Sequence, residues 1–400
     1  MKRIRIITIF MCAGFSIQAQ NGYDAVLQQI EENNTTLAAL RQQVEAQKLD
    51  YPEGLYPANP EVEFNYLWSN PSALGKRIDV SVRQTFDFPT AYAHRSKIAD
   101  LQKASVDISY KAERLNVLLS AKQACIELAY QNALFREYAA RLKNAERIAE
   151  VYKIKLDKGE VNILEHNKAQ LNLTSARAEV AKIEAECAAL LSELKLLNGG
   201  KELSIAFGEG FAVLNSQFSI STLPANFEEW YASAENKNPV LQYVRTQIEI
   251  EQRNIQLRRA MGLPKFSAGF MSEKIVGEHF QGVTVGMSIP LWENKDRVKQ
   301  AQAQALAAEA MYEDSKIQFY NRLQTLYAKA VALQQNAQTV RQSLGDYNNE
   351  ELLKKALDAG EISLLNYLFE IEYYYNAMNM ALETERDSEM ATAELSAVEM

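Results

Sequence analysis

The chain has 400 residues and a formal net charge of −8, and its 9 prolines and 16 glycines are separated by long tracts rich in Ala, Gln, Glu, Lys and Leu. This composition favours long helices over compact alternating elements, and the acidic balance argues against nucleic acid as a partner. After the first twenty residues no stretch carries eighteen uninterrupted apolar residues, so the sequence predicts no membrane-spanning helix.

Residues 1–19 have the pattern of an export signal that is cleaved. A basic head, a short apolar run and a small-residue cleavage site follow one another at Lys2–Arg5, Ile6–Phe15 and Ile17–Ala19. The residue before Cys12 is the bulky Met11, which departs from a lipoprotein motif, so we expect cleavage rather than lipidation. The sequence thus predicts an exported protein.

The stretch from Pro60 to Pro89 predicts two strands, over 60–69 and 78–88, joined by a loop. Apolar and polar residues alternate along both, over about the ten residues that a tilted strand needs to cross a bilayer. We expect one face to contact lipid and the other to line water. The expected lipid-facing residues are Val62, Phe64, Tyr66, Trp68, Val80 and Val82, and the expected lumen residues are Glu61, Glu63, Asp79, Arg83 and Asp87.

An internal duplication organises the chain. Asn34-Thr35-Thr36-Leu37 is matched by Asn238-Pro239-Val240-Leu241, 204 residues further along, and the segment from Leu156 to Leu164 is matched by Leu357 to Leu365 at an offset of 201. The first repeat is placed at 20–198, the second at 227–400, and an irregular connector at 199–226.

The second repeat has its own predicted strands, over 264–272 and 282–291, with a polar loop from Glu273 to Gln281. Their expected lipid-facing residues are Phe266, Phe270, Val283, Val285 and Met287. Four strands cannot close a barrel, and an open edge in lipid leaves backbone groups unpaired. Chains must therefore share a barrel, and this reasoning leaves open whether two chains give eight strands or three give twelve.

Long helices surround each strand pair. The residues from 90 to 158 contain neither proline nor glycine and carry a heptad pattern through Leu101, Ile108 and Leu115, which predicts a helix of about 100 Å. A returning helix is predicted over 163–198, and the second repeat repeats the scheme with helices over 227–260, 293–358 and 363–398. The fold class is mainly α with a transmembrane β part.

These features together resemble the TolC-like outer membrane efflux family. The resemblance rests on the duplicated layout, the strand ends Phe86-Asp87-Phe88-Pro89 and Ser288-Ile289-Pro290-Leu291-Trp292, and the paired turns Gly159-Glu160-Val161 and Gly360-Glu361-Ile362. It implies a homotrimer with a twelve-stranded barrel in the outer membrane, continued by a helical tunnel across the periplasm. It also implies a periplasmic adaptor protein and an inner-membrane pump as partners.

The two glycine turns are the expected docking points for the adaptor. Each glycine supplies a permissive backbone, and we expect the acidic and the branched apolar residue that follow it to be presented outward. The alternative is that Gly159 and Gly360 only end helices, which is the commonest use of such a glycine. We favour docking, because a cap requires the glycine alone whereas the whole triplet is duplicated.

The resemblance further implies a constriction of the tunnel near the turns. Glu165, Glu370 and Glu372 are candidates, because one carboxylate per chain becomes a ring of like charge in a symmetric oligomer. An ordinary solvated helix face explains them equally well. Tyr373, Tyr374 and Tyr375 point in different directions on a helix, so we expect them to pack rather than gate.

The sequence gives little support for a catalytic function. The three histidines, His94, His166 and His279, fall in separate parts of the layout, and Cys125 and Cys187 are expected to be buried thiols. We therefore expect no enzyme activity, cofactor or resident metal. Two alternatives to an efflux channel are a periplasmic adaptor and a structural coiled-coil protein of the envelope. The cargo, whether drug, metal ion or polypeptide, stays open.

Overall fold

A computed structural model describes residues 22–51, 54–70, 75–203, 223–292 and 294–398. The predicted export signal at 1–19, with Cys12, lies outside these residues, as does the part of the predicted connector at 204–222. Of the helices in the described part of the chain, none has the length and apolar character of a membrane span.

Within those residues the chain forms nine helices and four strands. In chain order they are α1 (Gly22–Asn33), α2 (Thr35–Asp50), β1 (Glu61–Trp68), β2 (Lys76–Phe86), α3 (Pro89–Asp157), α4 (Ile163–Leu197), α5 (Phe227–Lys237), α6 (Pro239–Ala260), β3 (Lys265–Ile275), β4 (Glu278–Ser288), α7 (Arg297–Asp346), α8 (Glu350–Asp358) and α9 (Leu364–Ser396). The mainly helical fold with two strand pairs is as predicted.

Two predicted helices are each divided in the structure, so those predictions are wrong in detail. The helix expected over 293–358 stops at Asp346 and restarts at Glu350. Residues 345–349 read Gly-Asp-Tyr-Asn-Asn, and the Asn348 side chain accepts a hydrogen bond from the Glu350 amide at 3.0 Å. These residue types favour a new helix start over continuation. The helix expected over 227–260 is likewise divided, at Asn238, where the asparagine caps α6.

The polar loop predicted at 273–281 is also wrong. β3 continues to Ile275 and β4 begins at Glu278, so the connection is a two-residue turn formed by Val276 and Gly277. Gly277 has a φ of +85°, which a side chain would oppose. The alternation of apolar and polar residues is weaker in this stretch, which suggested a loop. A two-residue turn that contains glycine is nevertheless a strong signal for a β-hairpin, and the strands continue up to it.

The duplication is visible in matching contacts. Arg41 donates to the Tyr110 hydroxyl at 2.6 Å and lies over the same ring, and Arg245 does the same with Tyr312 at 2.8 Å. In both repeats this contact joins the helix before the strand pair to the helix after it. The two repeats thus share helix pairing as well as sequence.

The described residues divide into two compact units. The first, which we call the tip unit, is drawn from Met1–Asn33, Ala121–Ser221 and Asn336–Glu389. The second, the sheet unit, is drawn from Asn34–Ser120, Thr222–Gln335 and Met390–Met400, and it contains all four strands.

Each unit has its own core. In the tip unit the core joins α3, α4, α8 and α9 through the buried residues Ile148, Tyr152, Ala169, Leu357, Leu364, Tyr367 and Ile371. In the sheet unit Phe227 stacks on Tyr231 with ring centroids 5.9 Å apart, and Tyr231 packs with Leu323 and Leu395. Both cores pack helix on helix, as the apolar stripes predict.

Candidate functional site

The four strands form one antiparallel sheet in the order β1-β2-β3-β4. Its register is set by direct pairing across all strands: Val62 pairs with Val82, Val82 with Phe270, and Phe270 with Val283. Directly paired residues point to the same side of a sheet. One row of four apolar side chains therefore crosses the sheet on one face, although it comes from both repeats.

All eleven residues predicted to face lipid lie on this apolar face. Each is exposed, from Val80 at 36% to Val283 at 86%. Ile78 and Phe86 are eight positions apart along β2, which is about 26 Å at roughly 3.3 Å per residue. An apolar band of that height suits the hydrocarbon thickness that outer-membrane barrels span. Contact with lipid itself stays a prediction.

The opposite face carries charge of both signs, arranged in ion pairs. Arg83 pairs with Glu61 at 2.8 Å across the first hairpin. Arg77 reaches Asp79 at 2.8 Å and Glu273 at 3.2 Å, so it links the hairpins of the two repeats. Glu63 lies on the same face by register. Such a face requires water or other polar surroundings.

Asp87 departs from the prediction that it lines the barrel. β2 ends at Phe86, so Asp87 lies outside the sheet, at the junction with α3. Its carboxylate accepts a hydrogen bond from Arg95 at 2.6 Å, and both side chains are largely covered. The alternation of apolar and polar residues predicted a strand that continues past Asp87. The strand ends earlier because Pro89 starts α3 and turns the chain away from the strand direction.

The sheet has two free edges within the described residues. There, β1 pairs only with β2, and β4 pairs only with β3. The outward backbone groups of both edge strands therefore need partners wherever water is excluded. An apolar face beside an unpaired edge is a surface that pairing with another strand would complete.

In the tip unit both glycine turns end their helices in the same way. Gly159 and Gly360 each have a φ of +75°. The Glu160 amide donates to the Lys155 carbonyl and the Gly159 amide to the Leu156 carbonyl, and the equivalent bonds form in the second repeat, where Glu361 donates to Ala356. This is the Schellman arrangement that satisfies the last carbonyls of a helix.

The residues after each glycine divide between surface and core. Glu160 and Glu361 are exposed, whereas Val161 and Ile362 are half-buried and pack against the tip core. The expectation that both residues of each pair are presented outward is therefore wrong for the apolar member. A branched apolar side chain beside a compact turn is more stable covered by its own core than in water.

The constriction candidates occupy different environments. Glu165 is half-buried in the first turn of α4, where its amide donates to the Asn162 side chain at 3.0 Å. Glu370 and Glu372 are exposed on α9. Tyr374 and Tyr375 pack against the tip core as predicted. Tyr373 does not: it is 63% exposed and forms an edge-to-face pair with Phe369, with ring centroids 5.3 Å apart.

Sequence reasoning missed a polar cluster beneath this surface. The buried Arg141 guanidinium lies 4.4 Å from the Tyr138 ring and 4.3 Å from the Tyr375 ring, and it donates to the Asn379 side chain at 2.9 Å. One turn further along α3, Asn144 donates to the Tyr367 hydroxyl at 2.7 Å. The only available signal was an arginine and an asparagine on an otherwise apolar helix face.

The cysteines are buried free thiols, as predicted. Burial raises the pKa of the Cys125 thiol to about 12 and raises that of Cys187, where neighbouring glutamates add to the effect. Groups of three or more His, Cys, Asp or Glu residues able to hold a metal are not found among the described residues.

Comparison with known proteins shows which solved structures share this fold. The described fold matches the solved structure of CusC with a TM-score of 0.78 and 15% sequence identity, over 94% of this chain and 91% of CusC. It matches the Campylobacter jejuni CmeC outer membrane channel with a TM-score of 0.73 and 16% identity, over 94% of this chain and 85% of CmeC. It matches the outer membrane protein VceC of Vibrio cholerae with a TM-score of 0.73 and 13% identity, over 94% of this chain and 95% of VceC. A comparison with curated proteins found no match.

These likenesses define the fold as that of an outer-membrane channel with strands and long helices in one chain. A sequence-family model described as outer membrane efflux protein matches residues 230–398, which is the second repeat. Over these residues the chain is similar to that family.

Proposed function

We propose that this protein is the outer-membrane exit duct of a tripartite efflux pump, and that it conducts substrates passively from an inner-membrane pump and a periplasmic adaptor to the exterior. The observation that carries the proposal is the four-stranded sheet, with one apolar face, one ion-paired face and two open edges. A sheet of this kind is complete only when copies of the chain pair edge to edge in a membrane.

Three copies are the number that the family resemblance supports. Pairing β4 of one copy with β1 of the next joins twelve strands without a free edge. The apolar face then meets lipid, and the charged residues Glu61, Glu63, Asp79 and Arg83 line an aqueous lumen. The chain itself has no catalytic role in this proposal, because a passive duct requires only a lined path.

The glycine turns are proposed to receive the adaptor. The exposed carboxylates of Glu160 and Glu361 are the parts of each triplet available for contact, since Val161 and Ile362 are half-buried. Gly159 and Gly360 set the shape of the turn. Capping and docking are therefore compatible: the glycine ends the helix, and the residue after it is presented.

The constriction is proposed at Glu370 or Glu372, which are both exposed on α9 but, two residues apart, point to different sides of the helix. Copies of the chain around an axis would bring whichever carboxylate faces that axis into a ring, which attracts cations and repels anions. Glu165 suits this role less well, because it is half-buried beside Tyr152 and Asn162.

Fractionation of cells that express the full chain tests the proposal. We expect the protein in the outer-membrane fraction, migrating on gels as an oligomer that converts to the monomer only on heating. Release as a soluble periplasmic protein would contradict it and would favour the adaptor or the structural coiled-coil alternative.

A further inference from the structure

The hairpin end of the apolar face carries charge of one sign only. Lys76 pairs with Trp68, and Lys274 pairs with Ile78 on one side and His279 on the other. This register places all three basic side chains on the same face as the apolar band, at the end of the strands furthest from α3 and α7.

The carboxylates of the strands all lie on the other face. By register these are Glu61, Glu63, Asp79, Glu273 and Glu278. The remaining polar groups of the apolar face, Gln84, Ser272 and Gln281, are uncharged. Alternation alone requires only that charge avoid the apolar face. It does not explain why the exceptions are all basic and all at the hairpin end.

The basic residues lie at the hairpin-end margin of the apolar band. Lys274 pairs with Ile78, the last apolar residue of the band in β2, and Lys76 lies two residues further along the strand, about 7 Å at roughly 3.3 Å per residue. Lys76 and Lys274 are exposed, and the Lys76 ammonium lies over the Tyr66 ring, 5.5 Å from its centroid. His279 is within 2.8 Å of the Ser272 hydroxyl. Long basic side chains at this level reach from the band toward the polar surface of a bilayer.

We propose that this basic patch, formed by Lys76, Lys274 and His279, binds the phosphate groups of anionic lipid headgroups in the leaflet that surrounds the hairpin end of the barrel. The inference rests on the proposed function, because it requires the apolar face to meet lipid. Exposed lysines are common phosphate ligands, and a basic side chain near an anionic membrane surface adds substantially to the affinity. The contact between Lys76 and the Tyr66 ring is consistent with a position at the membrane–water interface, where aromatic residues are enriched.

Lipid retention by the purified full-length protein tests this assignment. The protein in detergent is mixed with bis-phosphorylated lipid A, with dephosphorylated lipid A, with phosphatidylethanolamine, or with inorganic phosphate. Bound lipid or phosphate is then quantified after gel filtration. The test variant is Lys76→Gln with Lys274→Gln. The matched control is Arg77→Gln with Arg83→Gln, which removes the same charge from the other face. The variant Lys76→Arg with Lys274→Arg keeps the charge.

We expect the test variant to retain on the order of tenfold less phosphorylated lipid than the unaltered protein, and the control and the arginine variant to retain as much. Dephosphorylated lipid should be retained equally by all. Equal retention of the phosphorylated lipid by the test variant, or an equal loss in the control, would overturn the proposal, as would free phosphate binding in place of lipid. The gel mobility of each sample distinguishes failure of the lipid-binding proposal from failure of the proposed channel function. If the protein forms oligomers but the variants retain equal amounts of lipid, only the lipid-binding proposal is wrong. If the protein forms no oligomers, the proposed channel function is wrong as well.

Discussion

Asn34 and Asn238, 204 residues apart, cap their helices with the same geometry. Asn34 has φ −62° and ψ 120° and accepts a hydrogen bond from the Leu37 amide, and Asn238 has φ −63° and ψ 119° and accepts one from the Leu241 amide, each at 2.9 Å. The duplication seen in the sequence thus extends to backbone angles. It fixes where the helix before each strand pair begins.

These two caps should stabilise the fold to a similar extent. Replacement of either asparagine by alanine removes an acceptor from a helix start and is expected to cost about 1 kcal/mol in the free energy of unfolding. Thermal unfolding followed by far-UV circular dichroism measures the loss. Aspartate at the same position keeps the acceptor and should unfold like the unaltered protein. Alanine variants without any shift would show that the caps do not stabilise these helices.

Two strand glycines provide a matched test of the sheet register. A Cβ on Gly269 would clash with the Val82 carbonyl oxygen, a backbone atom of the neighbouring strand, whereas a Cβ on Gly282 meets nothing within 4 Å. Gly269→Ala should therefore destabilise the sheet by about 1–3 kcal/mol, because the backbone must shift. Gly282→Ala should be nearly neutral. The temperature at which the oligomer dissociates on gels checks this, and equal tolerance of both substitutions would refute the β2–β3 register.

The native thiols should be chemically inert at ordinary pH. Burial raises the pKa of Cys125 to about 12, so the thiolate is scarce below that pH and becomes populated only as the pH approaches it. Maleimide labelling of the folded protein at neutral pH should modify neither Cys125 nor Cys187, whereas the denatured protein should label at both. Prompt labelling of the folded protein would contradict the buried positions. Inert native thiols also leave introduced cysteines as the reactive ones.

Charge reversal separates docking from capping at the turns. Glu160→Lys with Glu361→Lys alters the exposed residue after each glycine without touching the cap, and it should lower dye export severalfold in cells that carry the cognate pump and adaptor. Gly159→Asn with Gly360→Asn should largely retain the cap, since asparagine tolerates a positive φ, and should retain export. Normal export by the glutamate variants, with unchanged thermal stability, would leave the glycines as helix ends only.

Much of the fold was predictable because its patterns are long. The strands are defined by an alternation of apolar and polar residues over about ten residues, and the repeats by a nearly constant offset of about two hundred residues between matching segments. The helix predicted from 90 to 158 matches α3 at Pro89–Asp157 within one residue at each end. The eleven residues expected on one face of the sheet share that face in the register.

The errors arose where local chemistry interrupted a pattern. Asn238 and Asn348 start new helices because an asparagine side chain satisfies free amides, which no count of apolar residues registers. Val161 and Ile362 are half-buried because tertiary packing determines their exposure. The Arg141 cluster was invisible for the same reason, since its partners Tyr375 and Asn379 are more than two hundred residues away in the chain.

Closure of the sheet between copies of the chain can be tested with a disulfide between the two edge strands. A cysteine at Glu63 in β1 is combined in turn with a cysteine at Gly282, Thr284 or Gly286 in β4, and the membranes are oxidised and run on non-reducing gels. If the sheet closes between copies, at least one combination gives covalent trimers, with dimers as the partial product, and each single-cysteine variant stays monomeric after heating. Monomers in every combination, from protein that resides in the outer membrane, would contradict it.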